Sequence, residues 1–326
     1  SPGLWDMHIH LRGGKELVAE NELFLSHFTG YGITGVRDAA GDLPDEVHAW
    51  RDEIDAGNRT GPTIFSSYQK IDGVNPTWAG SIPVDKPEDI PIALDILSGQ
   101  NPEFIKIYTS SLKQELYLPL LEAIEARGID SSAHLHFGVP FRAAVAAGLD
   151  SIEHALYLHK GASPEDEDIS AALARGERIP GVFDRLLDSY DETHFAETLR
   201  LMKERGTALT PTLYVDHLLR FFDENNHADD ARLAIMPEGI QQTYVGRVEG
   251  ALSRSPERIA SDHRRMDTTI SLIPAVHAAG VTMLAGSDTG AFNSYVYPGD
   301  SLHQELRMMQ EAGLSQLTVL QAATIN

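Results

Sequence analysis

The stretch LWDMHIH at residues 4–10 decides the fold that this sequence predicts. Leu4–Ile9 is the first strand candidate, and His8 and His10 are two residues apart at its end. Because side chains alternate between the two faces of a strand, both imidazole rings point the same way. Two imidazoles on one face near a strand end suit a metal ion, although this spacing alone is weak evidence. Asp6 shares their face one step deeper and could orient one of the histidines.

Seven further strand candidates follow, and helical patterns separate them. The candidates are Gly32–Asp38, Thr63–Tyr68, Phe104–Thr109, Asp130–His136, Ser151–Ala155, Ala208–Leu213 and Thr282–Asp288. The clearest helical patterns are Gln114–Arg127, Phe141–Ala147, Phe195–Arg205, Asp262–Ala279 and Ser301–Ala312. Glycines at positions 128, 148, 206 and 280 suit the left-handed residue that closes a helix before the next strand.

Eight strands that alternate with helices predict an α/β protein with a (β/α)₈ TIM-type barrel over residues 1–326. An open doubly wound sheet is less favoured, because no Gly-rich nucleotide loop follows the first strand. The chain exceeds the roughly 250 residues of a typical barrel. The surplus lies mainly in two insertions, at residues 156–194 and 214–265. Both follow carboxyl ends of strands, so we expect them near the mouth of an active site.

Composition excludes several classes of function. The chain has 26 Lys+Arg against 48 Asp+Glu, a net charge of −22, which argues against nucleic acid or an anionic membrane surface as a partner. It has no cysteine, which excludes cysteine nucleophiles, thiolate metal sites and disulfides. No apolar run approaches the roughly 20 residues that span a bilayer. The first residues also lack the basic and apolar stretches of a secretory signal, so the cytoplasm is favoured for this segment.

More residues that could bind metal lie at the ends of other predicted strands. His134 and His136 repeat the spacing of the first motif, His154 closes the sixth strand and Asp288 closes the eighth. Lys106 lies within the apolar strand FIKIY, where a bare ammonium group is costly to bury. The carboxyl ends of barrel strands meet at one face. Convergence from five strands therefore favours a metal site far more than any single motif does.

Five motifs in this order resemble one enzyme family over nearly the whole chain. They are PGLWDMHIH at 2–10, AHLHFG at 133–138, AGLDSIEH at 147–154, AGSDTG at 285–290 and LQAATIN at 320–326. Together they resemble the amidohydrolase superfamily of metal-dependent barrel hydrolases, in its imidazolonepropionase-like and prolidase-like branch. Members usually carry a small β-sandwich built from segments before the first motif and after the last. That sandwich is missing from this sequence, so we expect a longer parent chain.

The resemblance implies a centre of two divalent metal ions, most often zinc, with six ligands. The implied ligands are His8, His10 and Asp288 for the more buried ion, His134 and His154 for the second, and Lys106 as a bridge. An ammonium group has no lone pair and cannot bind metal. Reaction of Lys106 with carbon dioxide would give a carbamate, whose two oxygens can span two cations. Lys106 could instead snorkel or pair with a carboxylate, and some relatives use one metal ion.

The resemblance also implies a hydrolase that cleaves an amide or peptide C–N bond with a metal-activated hydroxide. Asp288 is then the general base, and His136 contacts the substrate or stabilises the oxyanion. Tyr214 could donate its hydroxyl to a substrate carbonyl or carboxylate. The structural alternatives are a loop-facing role for His136 and packing under the insertion for Tyr214.

Substrates of the prolidase-like branch include dipeptides, peptides with a free carboxyl end and N-acyl amino acids. Arg12, just after the first motif, is a candidate to bind such a carboxylate. The runner-up function is a mononuclear hydrolase of a cyclic amide, like imidazolonepropionase, or a deaminase. A barrel that kept the fold and lost the chemistry is a further alternative. The expected partner is a small-molecule substrate, and the resemblance is compatible with a homo-oligomer.

Overall fold

The computed structural model describes residues 2–326, which form an α/β fold whose strand pairings are all parallel. The ten strands are β1 (Leu4–His10), β2 (Ile33–Asp38), β3 (Thr63–Ser66), β4 (Lys70–Asp72), β5 (Ser81–Pro83), β6 (Ile105–Ile107), β7 (Ser131–Ala133), β8 (Ser151–Glu153), β9 (Ala208–Thr210) and β10 (Thr289–Gly290). They form a four-stranded sheet in the order β10-β1-β2-β3 and a six-stranded sheet in the order β5-β4-β6-β7-β8-β9.

Helices connect and flank these strands. The α-helices are α1 (Val18–Gly30), α2 (Pro44–Asp55), α3 (Asp89–Gln100), α4 (Gln114–Glu125), α5 (Phe141–Ala146), α6 (Leu158–Gly161), α7 (Asp166–Ala174), α8 (Val182–Asp188), α9 (Glu192–Arg205), α10 (Leu213–Arg220), α11 (Glu238–Gln242), α12 (Val245–Leu252), α13 (Pro256–Ala278), α14 (Asp300–Glu311) and α15 (Gln316–Ala322). Short 3₁₀ helices cover Lys15–Leu17, Ala155–Tyr157 and Ala231–Ile235. In the described part of the chain, no helix combines the length and the apolarity that a membrane crossing needs.

The chain divides into two compact units, and each contains one of the sheets. The first unit consists of the segment that ends at Tyr68, together with Thr212–Met266 and Ala285–Asn326. The second unit consists of Gln69–Pro211 and Asp267–Leu284. The first unit is therefore assembled from three separate stretches of chain, whereas most of the second is continuous.

In the first unit, β1 is the inner strand that carries the first histidine motif. It pairs with β2 on one side and with β10 on the other. His10 lies opposite Gly290, and a Cβ atom at Gly290 would come within 2.4 Å of the carbonyl oxygen of His10. Only glycine allows this approach, since any Cβ would collide with the backbone of β1. The approach brings the end of β1 beside Asp288, whose N–H donates to the carbonyl of His8 at 2.7 Å.

In the second unit, the strands have three residues each and carry both apolar and polar side chains. Its strand core is fully buried and contains Ile105, Ile107, Ala133, Ile152 and Leu209. Lys106 on β6 lies in register with Ser132 on β7, and partners in a parallel ladder share a face of the sheet. The polar residues between the apolar ones therefore lie on the opposite face from this core.

Most predicted elements are confirmed, with strands shorter than predicted. The first seven predicted strands correspond to β1, β2, β3, β6, β7, β8 and β9, while β4 and β5 were not predicted. All four predicted helix-closing glycines have positive φ angles. The predicted eighth strand at 282–288 is wrong in its bounds: Met283 forms an isolated bridge with Leu209, and the strand proper is β10. The apolar run predicted one continuous strand, but its backbone partner changes in the middle. The N–H of Leu284 donates to the carbonyl of Leu209, whereas the N–H of the next residue, Ala285, donates to the carbonyl of Ala322.

The two predicted insertions are largely helical. Residues 156–194 contain α6, α7, α8 and the start of α9, and residues 214–265 contain most of α10, α11, α12 and the first part of α13. The single barrel over 1–326 and the place of these insertions at its mouth stay predictions.

Candidate metal centre

Two histidines and an aspartate of the first unit form a buried group of potential metal ligands, which we call the first cluster. One ligand atom from each of His8, His10 and Asp288 lies within 4.8 Å of the other two. Asp288 Oδ1 is 2.8 Å from Nε2 of His10 and 3.7 Å from Nε2 of His8. Two ligands of a tetrahedral zinc ion with bonds of about 2.0–2.1 Å lie roughly 3.3 Å apart. The observed distances lie on either side of that value, so the donor set fits a divalent ion.

The electrostatics of His10 also fit a metal ligand. Burial lowers the pKa of His10 well below its usual value, and the neighbouring charge of Arg12 lowers it further. His10 is therefore neutral at physiological pH, which is the form that binds metal. Its Nδ1 atom is buried and has no hydrogen-bond partner among residues 2–326. The ring nitrogen that faces Asp288 is the other one, Nε2, so Nε2 is the atom available to an ion in this cluster.

Asp6 ties β1 to the segment that precedes Asp288. Its carboxylate accepts hydrogen bonds from the Ser287 N–H at 2.8 Å, from the Ser287 hydroxyl at 2.6 Å and from the N–H of His8 at 3.3 Å. Burial raises the pKa of Asp6 to about 7. The sequence suggested that Asp6 orients a histidine ring. The structure shows instead that it holds the backbone on both sides of the first cluster.

Asn293 holds Asp288 in place, and sequence reasoning missed it. Its Nδ2 donates to the backbone carbonyl of Asp288 and, at 2.8 Å, to Asp288 Oδ1. Asp288 has a φ of 58°, a left-handed conformation that a non-glycine residue keeps only when its surroundings enforce it. Asn293 is 1 % exposed and supplies part of that enforcement. The only sequence signal is a polar residue five positions after a ligand, which has no characteristic spacing.

His134 and His154 form a second pair of potential ligands, in the second unit. Their Nε2 atoms are 3.0 Å apart, close to the separation of two nitrogens on one tetrahedral ion. Tyr117 donates its hydroxyl to the carbonyl of His134 at 2.8 Å. His154 has a φ of 74°, and its N–H donates to the carbonyl of Thr210 at 2.9 Å. The residue that directly follows strand β8 is therefore strained, and its side chain faces that of His134.

Lys106 is fully buried in the same unit. Its Nζ atom is 5.2 Å from the centroid of the Tyr108 ring, and that ring is 4.5 Å from the ring of His134. A buried acid, Glu153, accepts the hydroxyl of Ser132 at 2.7 Å, and Ser132 is the register partner of Lys106. A carbamate and an ammonium paired with a carboxylate both suit this environment, so both alternatives for Lys106 stay open.

His136 is engaged with the backbone of its own unit. Its Nε2 lies 3.1 Å from the carbonyl oxygen of Leu112, and its Nδ1 accepts the N–H of Gly138 at 3.0 Å. Because a carbonyl only accepts, the proton of the ring is on Nε2. Burial lowers the pKa of His136, so the ring is neutral. These contacts favour a role in holding the loop before α4, and the substrate contact stays a prediction.

Tyr214 and Arg12 belong to the first unit. The N–H of Tyr214 donates to Oε2 of the buried Glu305 at 2.7 Å, and the positive charge of Arg232 acts on its hydroxyl group. Burial raises the pKa of Tyr214, so its hydroxyl keeps its proton. Arg12 is buried and donates through Nε to the carbonyl of Ala291 at 2.7 Å. Glu305 was not singled out from the sequence, because an acid within a helical pattern is usually solvated.

A further group of possible ligands lies outside the predicted set. Asp223, Glu224 and His263 also bring their ligand atoms within 4.8 Å of one another. Both acids are exposed, and Nε2 of His263 is 3.0 Å from Asp223 Oδ1. An ordinary surface ion pair accounts for this group.

Comparison with known protein families gives a match over most of the chain. Residues 108–326 match the amidohydrolase family. The chain belongs to the amidohydrolase family. The match includes His134, His154 and Asp288 and begins after the first histidine motif. Comparison with curated proteins finds no significant match.

Solved structures resemble this amidohydrolase over its whole length at low sequence identity. Bottromycin amidohydrolase is 19 % identical with a TM-score of 0.72, and the match covers 99 % of this chain and 65 % of that one. A Xaa-Pro dipeptidase with methionine bound in its active site is 20 % identical with a TM-score of 0.64, and the match covers 99 % and 73 %. The A. niger ochratoxinase is 20 % identical with a TM-score of 0.65, and the match covers 100 % of this chain and 70 % of that one.

These comparisons confirm the predicted family and fold class. The amidohydrolase is an α/β protein of the superfamily's fold, and it resembles the prolidase-type structures that the sequence motifs predicted. The predicted enzyme class, a hydrolase of C–N bonds, is confirmed at the level of the family. The chain spans about two-thirds of the length of bottromycin amidohydrolase. The individual site residues stay predictions.

Proposed function

We propose that this chain is a metal-dependent hydrolase of an amide or peptide C–N bond, of the dipeptidase, carboxypeptidase or N-acyl amino acid hydrolase type. The observation that carries the proposal is the first cluster, in which two histidines and an aspartate are buried with their ligand atoms within 4.8 Å. A buried aspartate beside two imidazoles is costly unless a cation or hydrogen bonds compensate its charge. Family membership supports hydrolysis as the chemistry performed there.

We infer two divalent ions per chain, zinc being the most common in this superfamily. His8, His10 and Asp288 would hold one ion. His134 and His154 would hold the other, with Lys106 as a carbamate; the bridging role of Lys106 rests on the resemblance alone. A bound divalent ion lowers the pKa of a coordinated water and polarises a substrate oxygen. The neutral state of His10 and the 3.0 Å separation of the His134 and His154 nitrogens support this ligand set.

Asp288 is the residue that we assign to proton transfer. Its Oδ1 atom already accepts a hydrogen bond from Asn293 and lies 2.8 Å from Nε2 of His10. In this scheme Asp288 takes a proton from the attacking water as the C–O bond forms. It then gives that proton to the leaving nitrogen as the C–N bond breaks, so the carboxylate is regenerated.

Tyr214 is the residue that we assign to the substrate oxygen. The hydroxyl of Tyr214 is a donor as well as an acceptor, so it can donate its proton to a substrate oxygen. The raised pKa of Tyr214 keeps that proton in place at neutral pH. The same hydroxyl could instead bind a substrate carboxylate, for which Arg12 is the second candidate.

Metal content and activity together test this proposal. We expect about two divalent ions per chain by elemental analysis, and hydrolysis of some members of a panel of Xaa-Pro dipeptides, other dipeptides and N-acyl amino acids. Lys106→Ala should lose one ion and most of the activity. Lys113→Ala is the matched control, because Lys113 is an exposed lysine paired with Asp85 at 2.8 Å. Replacement of the control lysine should change neither quantity.

Other outcomes point to other functions. One ion per chain together with an active Lys106→Ala variant would support a mononuclear hydrolase of cyclic amides or a deaminase, and Lys106 would then be a structural residue. Metal-loaded protein that cleaves no peptide, N-acyl amino acid or lactam would refute the proposal and favour a barrel without catalytic activity.

A further inference from the structure

A cavity of about 210 Å³ lies within the first unit, and we call it the insertion cavity. Its lining comes from the 3₁₀ helix Ala231–Ile235, from α11, from α12 and the turn before it, and from Tyr295. A dry cavity of about 150 Å³ is large enough to hold benzene. The insertion cavity therefore has room for one ring with a short substituent.

The wall that Tyr295 forms is fixed by aromatic contacts. Tyr295 is 9 % exposed, and its ring centroid is 5.4 Å from those of Tyr244 and His227 and 5.9 Å from that of Phe222. Its φ of 63° is a left-handed conformation that a tyrosine keeps only when its surroundings enforce it. Residues strained in this way are frequent where a protein clamps a ligand.

Two hydrogen bonds join the two sides of the insertion cavity. The N–H of Phe292 donates to Oγ1 of Thr243 at 2.8 Å, and the hydroxyl of Ser294 donates to the carbonyl of Tyr244 at 2.9 Å. These bonds lie directly before and after Asn293 in the chain. The wall of the cavity is therefore preformed, and it is continuous with the segment that holds Asp288.

The polar groups of the insertion cavity are mainly hydrogen-bond acceptors. The amide nitrogen of Gln241 donates to the carbonyls of Leu233 at 3.0 Å and Met236 at 2.8 Å, which uses both of its hydrogens and leaves Oε1 as a free acceptor. Glu249 is exposed, and its carboxylate makes no hydrogen bond or ion pair within residues 2–326. No Lys or Arg of this described part of the chain lines the cavity.

The nearest basic side chains do not cancel the charge of Glu249. His227, which packs against Tyr295, is neutral at physiological pH because burial lowers its pKa. Arg232 is engaged by two carboxylates, those of Asp230 and Asp300. A cation in the cavity would also be attracted by the aromatic rings of its wall. The electrostatics therefore favour a positively charged ligand over a neutral or anionic one.

We propose that the insertion cavity binds a small primary amine in its ammonium form, with an aromatic or branched apolar body. The ammonium group has three hydrogens to donate, for which Glu249 and Oε1 of Gln241 are the acceptors. The apolar body packs against Val245, Val248 and the tyrosine rings. This site goes beyond the proposed hydrolysis and does not depend on it, because none of its residues belongs to the first cluster or the second pair.

Calorimetric titration of the metal-loaded chain with 2-phenylethylamine at neutral pH tests this proposal. We expect one saturable site whose affinity falls at least tenfold in Val248→Phe, since the larger side chain fills the cavity. Leu252→Phe is the matched control, because Leu252 is 57 % exposed on the same helix and does not line the cavity. Glu249→Gln should weaken binding about threefold to fivefold, as loss of an exposed charge pair does. Glu311→Gln, at an exposed glutamate of the same unit, should leave the affinity unchanged.

Two comparison ligands test the class of compound. 2-Phenylethanol has the same body without the charge, and phenylalanine has the same body with an added carboxylate that Glu249 repels. Both should bind this site at least tenfold more weakly than the amine. Equal affinity for the alcohol would overturn the charged class, and equal affinity for phenylalanine would identify an amino acid instead and overturn the proposal as well.

The variants decide where the amine binds. Equal affinity in Val248→Phe and Leu252→Phe would overturn the proposal, because the amine would then bind elsewhere, for example at the metal ions. No saturable binding at millimolar amine would overturn it too. Unchanged melting temperatures show that folded variants are compared, and Glu249→Gln, which conserves the size of the side chain, keeps the test decisive if Val248→Phe does not fold.

Discussion

The replacement Asn293→Ala should weaken metal binding at the first cluster without touching a ligand. Asn293 donates two hydrogen bonds to Asp288, one to its backbone carbonyl and one to its carboxylate at 2.8 Å. Alanine removes both, while the left-handed backbone of Asp288 stays strained. We expect the Asp288 carboxylate to sample orientations that do not face the two histidines.

The size of the effect follows from these contacts. A hydrogen bond to a charged group contributes about 1.5–3 kcal/mol. A residue held in the left-handed region stores about 1–3 kcal/mol of strain that its neighbours must offset. Part of both quantities is lost from folding stability and part from metal affinity. Loss of an outer partner of a metal ligand typically weakens metal binding by about 10–100-fold, and we expect a value in that range here.

Competition with a chromophoric zinc chelator measures this affinity directly and does not require a substrate. Ser294→Ala is the matched control, because Ser294 is the buried neighbour of Asn293 and donates to Tyr244 at 2.9 Å rather than to Asp288. We expect its zinc affinity to change by less than a factor of about three, which is the usual spread of mutations away from a ligand. If Asn293→Ala binds zinc as tightly as Ser294→Ala does, the argument that Asn293 positions Asp288 is wrong.

Three further predictions concern stability. Burial raises the pKa of Glu305 from 4.5 to about 8. Between these two pH values the folded chain therefore binds one more proton than the unfolded chain. The contribution of Glu305 to the free energy of unfolding falls there by about 1.4 kcal/mol per pH unit as pH rises. Urea titrations from pH 5 to 8 should therefore show a smaller loss of stability with pH in Glu305→Gln, and equal slopes would contradict the assignment. Asp262→Ala should lower the free energy of unfolding by about 3–5 kcal/mol, because it leaves buried guanidinium groups uncompensated. The control Asp95→Ala breaks an exposed ion pair with Arg127 and should lower the free energy of unfolding far less in the same denaturation assay. Chelation should lower the melting temperature of the wild type, and zinc should restore it; His10→Ala should show a smaller response, and a wild type that does not respond would argue against a resident metal ion.

The residues that the sequence identified best are those whose chemistry has a characteristic spacing. His8 and His10 are two apart on one strand, and the structure places both beside Asp288, which is almost the whole chain away. The pairing of His134 with His154 also follows from strand ends, because adjacent parallel strands bring their carboxyl ends together. Period-two alternation and strand-end position are local properties, so they can be detected without a structure.

The residues that the sequence did not identify act through contacts without a fixed spacing. Asn293 holds Asp288 from a loop, and Glu305 reaches the N–H of Tyr214 from a helix that begins 86 residues later along the chain. The strand predicted at 282–288 failed for a related reason, because hydrophobicity indicates burial but not which backbone is the partner. The sequence also did not predict the ion pairs of Asp262, because the four arginines that contact it lie on α10, on α13 and between α12 and α13.

The three-part construction of the first unit has a consequence for biosynthesis. His8 and His10 are synthesised about 280 residues before Asp288, which completes their ligand set. At about 5–20 residues per second, the two imidazoles wait roughly 14–56 s for the carboxylate that completes their ligand set. The six-stranded sheet of the second unit needs no residue beyond Thr210 and can form in the meantime. Tight metal capture by the first cluster would then follow the formation of the six-stranded sheet, rather than guide it.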